Sequence, residues 1–441
     1  MAPSLVDFTQ PDEPPSHISS KGGVVTRTRE TKDETSDQLP EGHKQNYPSK
    51  DGRNTYTLSS ELSSQIPNPS LQVTASHTIK LTPAAIHAPS PGEVLVHIKA
   101  TGLCGSDIHF WRSGCIGPLT VEGDCILGHE AAGIIVDVGE GVTHLRPGDR
   151  VAIEPGVACE TNCFLCRSGQ YNLCEDVRFA GVYPHPGTLQ RLKCHPARWV
   201  HPLPDQLTYA QGALLEPLSV VMRALETCRI SLGHPILIHG AGPIGLIALA
   251  CARASGAHPI VITDLEPKRL DFARRFVPGC QTYLIQRQLD AWANADGIRG
   301  LFGVAKRDEE TGTSENEALA PATVLECTGV ESSVVTAAYA CRRAGVVVVV
   351  GVGKSIMNNL PFMHLSLAEI QLRFTNRYRD TWPAGIRALC GGILNLDALV
   401  THTFPLERAV EAMELAGDVS RGSIKVQVVD DDVDVLPRRD A

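Results

Sequence analysis

One stretch restricts the fold more than any other: residues 234 to 276 read HPILIHGAGPIGLIALACARASGAHPIVITDLEPKRLDFARRF. A short apolar run, a glycine turn, an apolar segment of helix length, a second apolar run with an acidic tip and a second helix-length segment follow in order. That is the pattern of a doubly wound parallel sheet built to hold a dinucleotide. Gly240, Gly242 and Gly245 spell GxGxxG. The first permits a tight turn, the second lets a pyrophosphate approach the backbone, and the third lets helix pack on strand. The start of the helix adds free N–H groups for the phosphates. Pro243 and Ile244 lie inside the turn and complete the candidate cofactor set. Asp264, at the tip of the second strand, can accept hydrogen bonds from both ribose hydroxyls while its charge repels a 2′-phosphate, so NAD is expected rather than NADP. Arg269 is open to two roles, stacking near the adenine or solvation on the helix surface. VLECTG and GVVVVVGVG add strands of the continuous apolar kind that parallel sheets bury.

The chain before this unit reads differently. From LQVTASHTIKLTPAAI through GEVLVHIKATGLCGSD to AAGIIVDVGEGVTHLRPGDRVAIEP, β-branched and apolar residues alternate with polar ones between Gly and Pro breaks, which predicts antiparallel strands. Residues 1 to 66 are rich in Ser, Thr, Pro and charged residues without an apolar period, so a disordered tail is expected there. The stretch AKRDEETGTSENEA before VLECTG reads as a surface insertion.

A chain of 441 residues is long enough for two domains, and 43% hydrophobic residues suffice for real cores. A net charge of −9 argues against a nucleic-acid or anionic-membrane partner. The start MAPSLVDFTQPDEPPSH lacks the basic and apolar parts of a secretory signal, and no apolar run is long enough for a membrane span. A cytoplasmic enzyme is expected. In that reducing compartment, 14 cysteines are poor material for a disulfide framework, and clustered ones suit metal or redox chemistry.

A nicotinamide enzyme acting on an alcohol must remove a proton as well as a hydride, and zinc makes that possible by lowering the pKa of coordinated water from about 15.7 to about 7. CGSD at 104 to 107 and GHE at 128 to 130 offer Cys104, His129 and Glu130 as zinc donors. Read singly, each has a plainer role as a buried thiol, a core histidine or a surface carboxylate. In order along the chain, CGSDIHFW, GHEAAG, GDRVAIEP, the cysteine cluster, LLEPLSV and GAGPIG resemble the zinc-dependent medium-chain dehydrogenases. HFWRSGCIGP, LLEPLSV, LECTGVESS and RGSIKVQVV are most similar to their polyol branch, which includes L-arabinitol, sorbitol and xylitol dehydrogenases.

The resemblance implies an α/β protein with a GroES-like β-rich catalytic domain over 67–218, a Rossmann NAD-binding domain over 219–375, and a return segment over 376–441 that completes the first domain. It implies a catalytic zinc on Cys104, His129 and Glu130, with Glu216 of LLEPLSV as a direct or water-mediated ligand. Ser106 and His109 match positions near the reacting hydroxyl. Phe110 matches a wall of the substrate pocket, and Glu216, Arg377 and Tyr378 match polar contacts to a polyol. It also implies a homo-oligomer, a tetramer in the family.

CETNCFLCRSGQYNLC, with Cys159, Cys163, Cys166 and Cys174, suits a closed Cys₄ structural zinc. The competing iron–sulfur spacing C-x₂-C-x₂-C-x₃-C does not fit. The family pattern is C-x₂-C-x₂-C-x₇-C, whereas this chain has C-x₃-C-x₂-C-x₇-C, which makes Cys159 the ligand most in question. Cys125 stands where the L-arabinitol enzymes carry histidine, and Asn376 precedes Arg377 where an aromatic is usual. The expected reaction is oxidation of a polyol secondary alcohol to a ketose. Phe110, lacking a tyrosine hydroxyl, favours L-arabinitol over sorbitol. Sorbitol, xylitol, threonine or simple-alcohol oxidation, and a catalytically silent NAD- or zinc-binding regulator, are the alternatives.

Overall fold

The structure, a computed structural model, describes residues 66–159, 163–228, 230–308 and 314–431. The tail expected over 1–66 lies outside them apart from Ile66, as do residues 309–313 of the expected insertion and 432–441 of the return segment.

Residues of alternating parity in the apolar runs face opposite ways, and this builds the dinucleotide domain. Ile236, Ile238, Ile260, Ile262, Leu325 and Val348 enter one core cluster. Leu237, Val261, Val324 and Val347 enter another on the opposite face. A sheet buried on both faces needs mainly apolar strands, as the four central ones are. Among the described residues it has six parallel strands, ordered Gln281–Leu284, Ile260–Asp264, Ile236–His239, Thr323–Glu326, Val346–Val349 and Gln371–Phe374. The chain moves outward from Ile236–His239, then crosses to Thr323–Glu326 on its other side. The strand order reverses between these two, where α/β sheets bind ligands.

The other domain is a mainly antiparallel seven-stranded sheet ordered Val200–Pro202, Arg150–Ile153, Glu130–Val138, Glu93–Gly102, Lys425–Val429 and Val400–Pro405, with Leu192–Pro196 also paired to Glu93–Gly102. Pairing of Lys425–Val429 with Glu93–Gly102 brings the far end of the chain beside Gly102 and Glu130. The helix Leu215–Cys228 runs from this sheet toward the dinucleotide domain. Its buried residues Leu215, Leu218 and Val221 belong to a cluster that also holds Ala132 of the β domain and Ile236 of the parallel sheet. No helix among the described residues is long and apolar enough to cross a membrane.

Candidate active site

The helix Gly105–Ser113 starts at Cys104, whose backbone N–H donates to Asp107 Oδ2 at 3.0 Å in a capping box. The other oxygen of Asp107, Oδ1, accepts the Gly128 N–H at 3.0 Å and lies 3.6 Å from His129 Nδ1. One fully buried carboxylate thus ties the Cys104 turn to the turn carrying His129. Burial raises the Asp107 pKa, but His129 and the two N–H donors outweigh it and the net shift is downward. His129 is likewise opposed by burial, yet Asp107 and Cys104 hold its pKa well above normal. The pocket favours positive charge.

Glu130 opens the strand Glu130–Val138 with no exposure. Both of its oxygens lie 2.8 Å from Lys425 Nζ, which also donates to Leu103 O at 3.0 Å. Burial acts against the Lys425 charge, and Glu130 and Cys104 overcome it to raise its pKa. Gly102, paired with Glu130 across the sheet, has no room for a side chain: a Cβ there would sit 2.0 Å from Glu130 Oε2. Glu216 lies in the first turn of Leu215–Cys228, 5% exposed. Burial and then the Glu130 charge push its pKa up to about 7, against the pull of His129 and Lys425.

The structure brings Cys104, His129 and Glu130 together, with ligand atoms all within 4.8 Å of one another. A thiol, an imidazole and a carboxylate leave one position of a tetrahedral ion free, which is the donor arrangement of a catalytic zinc. These residues fit the metal. Ser106 Oγ lies 3.6 Å from Cys104 Sγ. Lys425 and Asp107 were not singled out in the sequence. Asp107 carried a local signal, an acid three residues after an N-cap, whereas Lys425 is 295 positions from its partner and carried none.

Cys159, Cys163, Cys166 and Cys174 also converge within 4.8 Å, and Cys159 Sγ stands 3.6 Å from Cys166 Sγ. None of the four is in a disulfide. Thiolates around a tetrahedral zinc at about 2.3 Å stand roughly 3.8 Å apart, so this group fits a closed zinc site with Cys159 included. The extra residue between Cys159 and Cys163 does not pull the first thiol out of the group.

In the glycine turn, Gly240 has φ +91°, and a Cβ at Gly245 would strike Gly240 O at 1.8 Å. Gly242 caps the helix Pro243–Ala254, with nothing nearer to an added Cβ than Arg269 Nη1 at 3.9 Å. The turn is closed where helix meets strand and open where a pyrophosphate would lie, so it fits a dinucleotide. Asp264 Oδ2 accepts the Ala241 N–H at 2.7 Å and Oδ1 the Glu266 N–H at 2.9 Å, while Arg269 Nη1 stands 4.0 Å from Oδ2. A cavity of about 950 Å³ opens between the domains, with His109, Ser113 and Ile116 on one wall and Thr328, Gly329 and Val352 on the other.

The residues read as substrate contacts divide. Phe110 is 2% exposed and sits in an apolar cluster with Leu103, Leu127 and Met413; it is His109, one residue earlier, that lines the cavity. Helix geometry explains this, since Phe110 shares the buried face with Asp107 at i, i+3. Arg377 lies 4.1 Å above the Phe179 ring, which in turn packs against His129 with centroids 5.5 Å apart. Phe179 therefore joins the site, and no motif in the sequence marked it. Tyr378 is 2% exposed, with its hydroxyl turned toward the Glu216 carboxylate. It lies close enough to Glu216 that the carboxylate, after burial, raises its pKa. Cys125 is buried, its Sγ set toward Ile126 O and His185 O, and Asn376 bonds through its carbonyl oxygen to Asn172.

Two families match this architecture: the alcohol dehydrogenase GroES-like domain over residues 90–205 and the zinc-binding dehydrogenase over residues 243–390. The chain belongs to the zinc-binding medium-chain dehydrogenases and is an oxidoreductase. Among its relatives, L-arabinitol 4-dehydrogenase of Aspergillus oryzae is 50% identical over 345 residues, 78% of this chain and 88% of the relative. Sorbitol dehydrogenase of Macaca fascicularis is 40% identical over 347 residues, 79% and 92% of the two chains. The solved L-idonate 5-dehydrogenase of Escherichia coli superposes with a TM-score of 0.71 at 28% identity, covering 82% of this chain and 98% of its own.

Proposed function

We propose that this chain oxidises a secondary alcohol of a polyol to a ketone, with NAD as hydride acceptor, and that L-arabinitol, yielding L-xylulose, is its preferred substrate. The observation that carries the reading is the three-donor group Cys104, His129 and Glu130, at the head of a helix whose His109 lines the interdomain cavity. A zinc held by those three residues supplies Lewis acidity that lowers the pKa of the substrate hydroxyl, and NAD supplies the hydride acceptor. Ser106 Oγ, beside Cys104, accepts the hydroxyl proton as it releases its own, and the exposed His109, three residues along the same helix, carries that proton to solvent. Arg377 and Tyr378 bind the neighbouring hydroxyls, and Glu216 completes the polar wall. Asp264, with an adenosine ribose beside it, selects NAD. The four cysteines at 159, 163, 166 and 174 hold the structural zinc.

With Phe110 in the core, the choice of L-arabinitol over sorbitol rests on the higher identity to the L-arabinitol enzyme. A homo-oligomer, tetrameric in the resemblance, belongs to the same reading. Its support is exposed Phe362, Met363, Leu367 and Phe374, the last on the edge strand of the parallel sheet. A cytosolic setting accords with 14 cysteines outside any disulfide. Catalytic efficiency on L-arabinitol, xylitol, sorbitol, threonine and ethanol tests the proposal. Buried polar groups left unpaired by a simple alcohol cost about 1–3 kcal/mol each, so polyols should lead ethanol by orders of magnitude. A lead for ethanol or threonine overturns the polyol reading, and a lead for sorbitol overturns only the narrower choice.

A further inference from the structure

The segment Asn376–Asp380 carries Arg377 and Tyr378, and its conformation is an uncomfortable one. Arg377 has φ +55° and Asp380 φ +52°, a left-handed region that is strained for a non-glycine residue. Such conformations persist where their surroundings over-determine them. Here the surroundings are the cysteine lobe. Tyr171 and Asn172 belong to the short 3₁₀ turn Tyr171–Leu173 that Cys174 terminates. The Tyr171 hydroxyl accepts the Asp380 N–H at 2.8 Å and donates to Glu154 Oε1 at 2.7 Å. Asn172 Nδ2 donates to Asn376 O at 2.8 Å, and Asn376 Nδ2 returns to Asn172 O at 3.5 Å.

The two ends of the segment are therefore pinned by adjacent residues of one turn, more than 200 positions earlier in the chain. Glu154 Oε2 meets His201 Nε2 at 2.7 Å, and the His201 ring stacks on Trp382 at 5.2 Å and 8°. The path from Tyr171 thus closes on itself just beyond the segment. Between the pins, Arg377 is left over Phe179 and Tyr378 beside Glu216.

The geometry points to Tyr171 and Asn172 as positioning residues through which the four-cysteine lobe sets how tightly the site holds its polyol. Neither lines the cavity nor belongs to the Cys104 group, so they act through Arg377 and Tyr378. The inference uses the proposed polyol reading only for the identity of the ligand.

Two readouts test it on the full-length, zinc-loaded chain, in Tyr171→Phe and Asn172→Ala. Hydrogen–deuterium exchange of the peptide spanning 376–382 should speed up in both variants while exchange in the glycine turn stays as in wild type. Steady-state kinetics should show KM for L-arabinitol rising roughly three- to tenfold, the share of one hydrogen bond, with KM for NAD and kcat close to wild type. Unchanged exchange at 376–382 in both variants overturns the brace. Faster exchange with unchanged polyol KM overturns its link to substrate. Loss of kcat and thermal stability with KM unmoved assigns the two residues to folding alone and overturns the proposal as well. If wild type oxidises no polyol, the proposed function falls separately: exchange still decides the brace, and KM for whichever alcohol the chain does oxidise decides the link.

Discussion

Both cysteine-bearing clusters gather their ligand atoms within 4.8 Å, yet they are built by opposite means. Cys104, His129 and Glu130 come from a helix start, a turn and a strand: Cys104 is held locally by Asp107 of its own helix, whereas His129 and Glu130 are held from elsewhere, by Asp107 and Lys425. His129 and Glu130 are buried. The lobe draws its four thiols from 16 consecutive positions, three of them only half-buried. Short-range chain geometry and the thiols themselves supply most of its order. On the proposed function, the fold holds the ligands in the first cluster, and in the second the ligands hold a piece of the fold. A distributed cluster should fail entirely when one member is lost, because nothing local replaces it. A contiguous one should degrade by degrees.

The largest expected effect separates the two most sharply. In Cys104→Ser, turnover should drop to about a thousandth or less, since Lewis-acid stabilisation is worth several kcal/mol. The melting temperature should barely move, because serine is a good N-cap for Gly105–Ser113. Cys166→Ser should do the reverse: a melting temperature lower by roughly 5–10 °C with residual turnover, because a closed zinc site contributes folding energy. Metal analysis should fall from two zinc ions per chain to one in each variant. Equal losses of stability in the two would break the contrast.

Lys425→Met probes the support of the distributed cluster. The lysine is fully buried between Glu130 and Leu103 O, so its loss leaves a buried carboxylate without its cation. Removing such a partner typically lowers metal affinity or activity by about 10- to 100-fold. Titrating the apo-protein with zinc and assaying each step would separate weaker binding from slower turnover. Wild-type affinity and rate would show that Glu130 needs no outside support.

The same contrast governs what could be read before the fold was known. Contiguous features were legible: the glycine turn, the strands flanking it and the four thiols are local patterns, and all appear where the sequence placed them. The trio of Cys104, His129 and Glu130 is legible only through its resemblance to a family, because nothing local relates residue 104 to residues 129 and 130. Lys425 and Phe179 left no local trace, since their partners are set by sheet pairing and by the fold of the cavity wall. Phe110 was misplaced for a different reason. HFW lies on a helix, and one turn of it carries Phe110 inward with Asp107 while His109 faces the cavity.

The glycine turn is contiguous like the lobe, so damage to its acidic partner should be graded, and this is the smallest effect expected. On the proposed function, Asp264 has two tasks. Its oxygens accept the N–H groups of Ala241 and Glu266, which fixes the turn, and its charge opposes a 2′-phosphate. Asp264→Ala removes both at once, whereas Asp264→Asn keeps an oxygen acceptor and removes only the charge. Arg269 stands 4.0 Å from the carboxylate and beside Gly242. Freed from its anionic neighbour, the guanidinium becomes a partner for a 2′-phosphate, as arginine does in NADP enzymes. In Asp264→Asn the preference for NAD over NADP should therefore narrow by roughly tenfold, the scale of one hydrogen bond to a charged group, with kcat on NAD little changed. Asp264→Ala should narrow it similarly and also raise KM for both cofactors, because the turn loosens. Comparing kcat/KM for the two cofactors in wild type and both variants decides the matter. An unchanged ratio would remove Asp264 from cofactor selection, and a wild type that prefers NADP would reverse its assignment.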